Sequence, residues 1–166
     1  MANVLTDPPF AADPPIKLNV NAKILGLVIG ILAVIGLVIA LVALPAIFAL
    51  NNICDNILGR TCSTGIFGLA LIGVIITIVG ELLYAIGGFQ MYNMNRAGKD
   101  KVIYGLAINV VGGILQIVGY GGVGGFIFAL IVAIVVYYLV VISRFPGEMP
   151  LVASGGYGSP PPPPPV

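Results

Sequence analysis

Four long apolar runs constrain the fold of this 166-residue chain more than any other feature of its sequence. They cover residues 24–50, 66–91, 102–120 and 123–143. Each is long enough to cross the hydrocarbon core of a bilayer as a helix, which takes about 17–25 residues. The composition agrees, because 8% of the residues are charged, whereas an average soluble domain has roughly 25%. The sequence therefore predicts an all-α integral membrane protein, with four transmembrane helices in an up-down bundle.

Composition divides the chain into three regions. Residues 1–22 form a Pro-rich leader, residues 23–145 contain the four apolar runs, and residues 146–166 form a tail rich in glycine and proline. The leader and the long first run do not fit a cleavable signal peptide, whose apolar core has about 7–15 residues. We expect an extended leader and a disordered tail, in which six consecutive prolines favour polyproline II. Such a tail serves either as a spacer or as a docking segment for a cytoplasmic partner.

Basic residues are distributed unevenly between the two sides of the predicted bundle. Arg60 is the only one in the connections on one side, and six lie on the other. These six are Lys17, Lys23, Arg96, Lys99, Lys101 and Arg144. Since segments rich in lysine and arginine stay on the cytoplasmic side, we expect both termini in the cytoplasm, in a plasma or inner membrane.

Residues 118–121 read Val-Gly-Tyr-Gly, a string that also occurs in the selectivity filter of potassium channels. A filter at this place requires the preceding apolar run to be a re-entrant helix that starts outside. Five basic residues would then lie outside and two inside, which is the reverse of the positive-inside rule. The charge distribution therefore predicts a helix end followed by a tight turn at this string.

Glycines recur at seven-residue intervals in the second and third runs, and a close pair occurs in the first. They are Gly73, Gly80 and Gly87, then Gly105, Gly112 and Gly119, and in the first run Gly26 and Gly30. A seven-residue spacing keeps side chains on one face of a gently supercoiled helix, and small residues let membrane helices approach closely. We expect the second and third spans to pack as a tight antiparallel hairpin. The alternative is that glycine is simply frequent in membrane helices.

One acidic residue, Glu81, lies inside an apolar run, where a charge costs roughly 2.5–3.5 kcal/mol on insertion scales. At 1.5 Å per residue it lies about 15 Å from the end of its span, close to the bilayer centre. Thr77 precedes it by one turn, and Asn109 and Gln116 lie along the third span. We predict that the four residues form one polar strip. Its role is a structural hydrogen bond, a proton or cation site, or a contact with a ligand, lipid or quinone.

Both cysteines of the chain, Cys54 and Cys62, lie in the outer connection predicted at residues 51–65. Disulfides persist on the oxidising side of a membrane, so we expect one between these two residues. It closes a short loop and contributes on the order of 2 kcal/mol; the alternative is two free thiols. Two cysteines in a chain without histidine give too few ligands for a metal site.

The sequence contains no histidine and no region outside the membrane large enough to enclose a substrate. We therefore expect no enzymatic activity and no cofactor, since histidine is the usual axial ligand of haem. The preferred hypothesis is a structural or accessory subunit of a larger membrane complex, or a self-assembling protein, that associates through small-residue helix faces. The alternative is a small oligomeric transporter, or a proton or ion conduit, that uses Glu81. The expected partners are other integral membrane subunits or copies of the chain, the lipid bilayer and a cytoplasmic partner for the tail, and no nucleic acid.

Overall fold

The computed structural model describes Pro8 and residues 14–16, 18–57, 64–120 and 123–145. The prediction of an all-α protein with four helices is confirmed, because each helix contains a stretch long and apolar enough to span a membrane. Within the described residues there is no β-strand, only an isolated bridge between Asn21 and Arg144. The helices are α1 (Ala22–Ile57), α2 (Thr64–Tyr92), α3 (Ala97–Tyr120) and α4 (Val123–Ile142).

Two helix ends differ from the limits of the apolar runs. Helix α1 continues to Ile57, beyond the predicted end at residue 50, and α3 begins at Ala97 instead of residue 102. Hydropathy reports where the chain leaves the bilayer, whereas a helix ends where its backbone hydrogen bonds are capped. Residues 118–120 are helical, so this part of the Val-Gly-Tyr-Gly string is not an extended filter. The tail, most of the leader and residues 121–122, where the tight turn is predicted, lie outside the described residues.

The connection between α2 and α3 is short and closely hydrogen bonded. The backbone N–H of Asn95 donates to the carbonyl of Gln90 at 2.9 Å, and that of Met94 donates to Met91 at 3.0 Å. These two bonds are those of a Schellman motif, which places a left-handed residue after the helix. Here that residue is Met94, with φ of 64°. Asn95 then caps α3, because its side-chain Oδ1 accepts a hydrogen bond from the N–H of Ala97 at 3.0 Å.

Helix α2 lies at the centre of the packing. It contacts α3 most extensively and α1 next, whereas α4 contacts α3 only lightly. Successive helices run antiparallel, so α1 and α3 begin at the same end of the bundle as α2 and α4 finish. We call this the basic end, because Lys23, Arg96, Lys99, Lys101 and Arg144 lie there. The main buried cluster is also at the basic end and consists of Ala22, Ile29, Met91, Val102, Ile103, Val140 and Phe145.

The segment before α1 and the segment after α4 are joined at the basic end. The N–H of Arg144 donates to the carbonyl of Val20 at 2.9 Å, and the N–H of Ala22 donates to the carbonyl of Arg144 at 2.8 Å. The Tyr138 hydroxyl donates to the carbonyl of Ile16 at 2.9 Å. From α3, the Lys99 ammonium donates to the carbonyl of Ser143 at the end of α4. At the basic end, hydrogen bonds therefore join the last turns of α4 to the start of α3 and to the segment before α1.

The opposite end of the bundle, where α2 and α4 begin, is more open. Its outer faces are apolar and exposed, as expected of helix surfaces that face lipid tails. On α4, Phe128 is 70% exposed and Ile127 is 52% exposed. Among the described residues, an added Cβ atom at Gly68 in α2, or at Gly124 or Gly125 in α4, would meet nothing within 4 Å.

Candidate functional site

Three pairs of glycines hold α2 and α3 together at backbone distance. A Cβ atom added to any of the six would lie 2.6–3.0 Å from the carbonyl oxygen of the facing glycine. Real Cβ atoms essentially never come that close, so no larger residue fits without moving a helix. The pairs, which we call the glycine seam, are Gly73 with Gly112, Gly80 with Gly105, and Gly87 with Gly98.

Gly98 is a member of the seam that the sequence analysis missed. It precedes Gly105 by seven residues and so continues the same repeat, but it lies before residue 102, where the third span was predicted to begin. Gly119, at the other end of the repeat, belongs to helix α3. Its contacts are not among those that the structure describes. The repeat itself was the signal that could have found Gly98.

Helix α1 packs against the other side of α2 through a second set of glycines. A Cβ atom added to Gly26 would lie 2.7 Å from the carbonyl oxygen of Gly88, and one added to Gly88 would lie 2.5 Å from the backbone nitrogen of Gly30. Gly30 itself is covered by the ring of Phe89. Gly88 was not predicted. It follows Gly87 directly, so it points about 100° away from Gly87 and faces α1 instead of α3.

The four residues predicted to form a polar strip lie together as two hydrogen-bonded pairs between α2 and α3. The Asn109 side-chain amide donates to Glu81 Oε1 at 2.9 Å. The Gln116 side-chain amide donates to the Thr77 hydroxyl at 2.8 Å, and that hydroxyl donates to the carbonyl of Gly73 at 2.9 Å. Each pair therefore joins the two helices beside the glycine seam.

The side-chain oxygen Oδ1 of Asn109 is buried and has no hydrogen-bond partner among the described residues. It points at Gly80, because a Cβ atom added to Gly80 would collide with this oxygen. The hydrogen that glycine carries in place of Cβ thus faces Oδ1, as in the weak Cα–H···O contacts common between packed helices. Gly80 therefore makes room for Asn109 as well as for the α3 backbone.

The Glu81 carboxyl group lies against α1 at a third glycine. A Cβ atom added to Gly36 would lie 2.9 Å from Glu81 Cδ and 3.0 Å from Oε2. Glu81 is thus held from two sides, by the amide of Asn109 and by the backbone surface of Gly36. Gly36 is a site residue that was not predicted, since nothing in its own helix marks it as the neighbour of an acid.

A cavity of about 600 Å³ lies between α4 and the other three helices. Glu81 and Asn109 line one wall together with Gly36 and Tyr84, and the α4 wall consists of apolar side chains that include Phe126. Among the described residues that line the cavity, Glu81 is the only charged one. The site therefore combines a carboxyl group with a largely apolar and partly aromatic space.

The two predicted disulfide cysteines lie near or within the connection between α1 and α2 in the sequence. The backbone of Cys54 lies in the last turns of α1, and Cys62 lies outside the described residues. The disulfide therefore stays a prediction. The helical position of Cys54 differs from the predicted irregular connection at residues 51–65.

No family model, no curated protein and no solved structure matches the chain.

Proposed function

We propose that the protein is a non-catalytic four-span membrane protein that acts as a structural or accessory subunit, bound to other integral membrane proteins or to copies of itself. The observation that carries the proposal is that some helical glycines are packed against neighbouring helices and others are not. Those of α1, α2 and α3 at the basic end and mid-bundle are packed against neighbouring helices, whereas Gly68, Gly124 and Gly125 at the opposite end face open space. A helical glycine costs roughly 0.5–1 kcal/mol relative to alanine unless close packing uses it. A partner helix at the opposite end would pack closely against these three glycines.

The weak attachment of α4 supports the same proposal. In a bilayer, apolar character alone does not drive helices together, since lipid tails are as apolar as the side chains; close packing does. Helix α4 has little of it, since it contacts α3 only lightly. A neighbouring subunit that packs on α4 would supply the missing contacts.

The charge distribution sets the orientation that we propose. The basic end holds most of the chain's lysines and arginines and therefore faces the cytoplasm of a plasma or inner membrane. Both termini then lie in the cytoplasm, where the Pro-rich tail is available to a soluble partner. The opposite end, with Cys54 and Cys62, faces the oxidising side, where their disulfide forms.

Co-purification tests the proposal. The tagged full chain, taken from its native membrane in a mild detergent, should bring a defined membrane partner or run as a defined oligomer. Leucine at both Gly124 and Gly125 should abolish this association and leave membrane insertion unchanged. Ile134→Leu, at an exposed position of the same helix, is the matched control. A monomer without companions in its native membrane would contradict the proposal.

A small oligomeric transporter or a proton or ion conduit is the second candidate, and the observation that favours it is Glu81 at the cavity wall. Glu81→Gln separates the two candidates, because it keeps the shape of the side chain and removes its charge. Loss of flux in proteoliposomes with normal assembly would favour the conduit. Loss of co-purification with normal insertion would favour the structural subunit.

A further inference from the structure

The Glu81 carboxyl group lies at the wall of the cavity between α4 and the other helices. No positively charged side chain among the described lining residues pairs with it. Glu81 Oε1 accepts a hydrogen bond from Asn109, and Oε2 lies at the backbone surface of Gly36. The described residues around the cavity contribute no basic side chain. The lysines and arginines that the structure describes lie at the basic end, about 15 Å along α2 from Glu81. An ionised carboxylate in an apolar environment is costly unless a cation accompanies it.

The rest of the cavity determines which cation fits. Its volume of about 600 Å³ lies within the range of about 300–1,000 Å³ typical of small-molecule sites. Its walls are apolar, and the rings of Tyr84, Phe126 and Phe128 contribute to them. Aromatic faces attract positive charge, most strongly where water is excluded.

We propose that this cavity binds a lipophilic organic cation, with its positive centre beside the Glu81 carboxylate and its apolar body against the aromatic and aliphatic side chains of α4. The site is independent of the partner surface at Gly124 and Gly125.

Other occupants fit the same walls less well. An acyl chain of a lipid would fill the apolar space and leave the carboxylate unpaired. A divalent metal ion needs several oxygen ligands, about six to eight for calcium, and within the described residues no three acidic, cysteine or histidine side chains lie close enough to hold one. An organic anion would be repelled by Glu81.

Two ions of nearly equal size and opposite charge provide the test. Tetraphenylphosphonium and tetraphenylborate both enter apolar sites, so that a difference between them reports charge. Equilibrium dialysis of radiolabelled tetraphenylphosphonium against the full chain, purified in an uncharged maltoside detergent, should show saturable binding. Radiolabelled tetraphenylborate, dialysed in a separate experiment because the two ions precipitate as a salt when mixed, should not bind saturably.

Three variants assign the binding to the proposed atoms. Glu81→Gln should weaken phosphonium binding about tenfold or more, because it removes the charge. Thr77→Val removes the other polar pair, which does not line the cavity, and should leave the affinity within about twofold. Ala133→Phe fills the cavity from α4, keeps the glutamate in the sequence and should abolish binding, which keeps the test decisive if Glu81→Gln does not fold.

Two results would overturn the proposal. The first is equal binding of the phosphonium and borate ions, which would identify an apolar cleft for acyl chains. The second is phosphonium binding that neither Glu81→Gln nor Ala133→Phe reduces. Co-purification of partners is read separately, so failure of this site leaves the structural-subunit proposal standing.

Discussion

Two hairpins of the same bundle, α2–α3 and α3–α4, share helix α3 and yet pack very differently, although α4 is more apolar than α2. In α2–α3 the backbones touch along the glycine seam, and two hydrogen-bonded pairs cross the interface. In α3–α4 the contact is light, and a cavity of about 600 Å³ separates the helices. At Gly113 of α3, the ring of Phe126 lies between the α3 and α4 backbones, since a Cβ atom added to Gly113 would meet this ring at 3.1 Å.

The difference shows what a membrane hairpin requires beyond two apolar spans. Lipid tails compete equally well for apolar side chains, so association depends on surfaces that fit at short range. Helix α3 presents glycine to a glycine of α2, which lets the two backbones meet. It presents glycine to the phenylalanine of α4, which leaves the backbones apart. Shape, and not hydropathy, therefore distinguishes the firm hairpin from the loose one.

The largest effect is expected from breaking the seam. Gly80→Leu places a side chain against both the α3 backbone and Asn109, so it should destabilise the protein by about 3 kcal/mol. The free energy of unfolding in mixed micelles, followed by helix content as denaturing detergent is added, measures the change. Gly68→Leu, on the same helix but in open space, should cost less than about 0.5 kcal/mol. Equal losses for the two variants would contradict the role of the seam.

The second expected effect concerns the polar pair that crosses the firm hairpin. Asn109→Leu leaves the Glu81 carboxyl without its donor and should cost about 1–2 kcal/mol. In a double-mutant cycle with Glu81→Leu, the coupling energy should be about 0.6–1.7 kcal/mol, the range measured for hydrogen bonds between membrane helices. Gln116→Leu, paired with Glu81→Leu, is the matched control because Gln116 bonds Thr77 instead. A coupling energy near zero for Glu81 and Asn109 would show that their bond is not formed in the protein.

The loose hairpin can be tightened by filling its cavity. Ala133→Leu adds an apolar side chain to the α4 wall and should stabilise the protein by about 1 kcal/mol. Slower amide hydrogen exchange in α4, with exchange in α2 unchanged, would locate the gain in the intended helix. If α4 exchanges as slowly as α2 before any substitution, the two hairpins are equally firm and the comparison fails.

The smallest effect is expected at the connection of the firm hairpin. Met94 has φ of 64°, a conformation that costs a residue with a side chain about 1–2 kcal/mol. Met94→Gly relieves this cost and adds some flexibility to the unfolded chain, for a net stabilisation of about 0.5–1 kcal/mol. Asn93→Gly, one residue earlier and without the left-handed backbone, should be neutral or slightly destabilising. Destabilisation by Met94→Gly in the same micelle assay would contradict the expectation.

The sequence predicts the four helices well because span length and apolar content are local properties of the chain. The seven-residue glycine repeat is also visible in the sequence, and counting residues along each helix predicts the depth of the polar residues. The start of α3 at Ala97 was not predicted, since it depends on the cap at Asn95 and not on hydropathy. Gly36 and the cavity were not predicted either, because both depend on how side chains of separate helices fit one another in three dimensions.

The bridge between Asn21 and Arg144 has a consequence for how the chain enters the membrane. The neighbouring contact between Ile16 and Tyr138 joins residues 122 positions apart, so it forms only after nearly the whole described chain has been synthesised. The hydrogen bonds across the α2–α3 hairpin, in contrast, join residues 28 and 39 positions apart, so this hairpin is complete once α3 has emerged. Because loop closure over long separations is slow compared with local pairing, the hairpin forms early and the first and last helices join at the end of insertion.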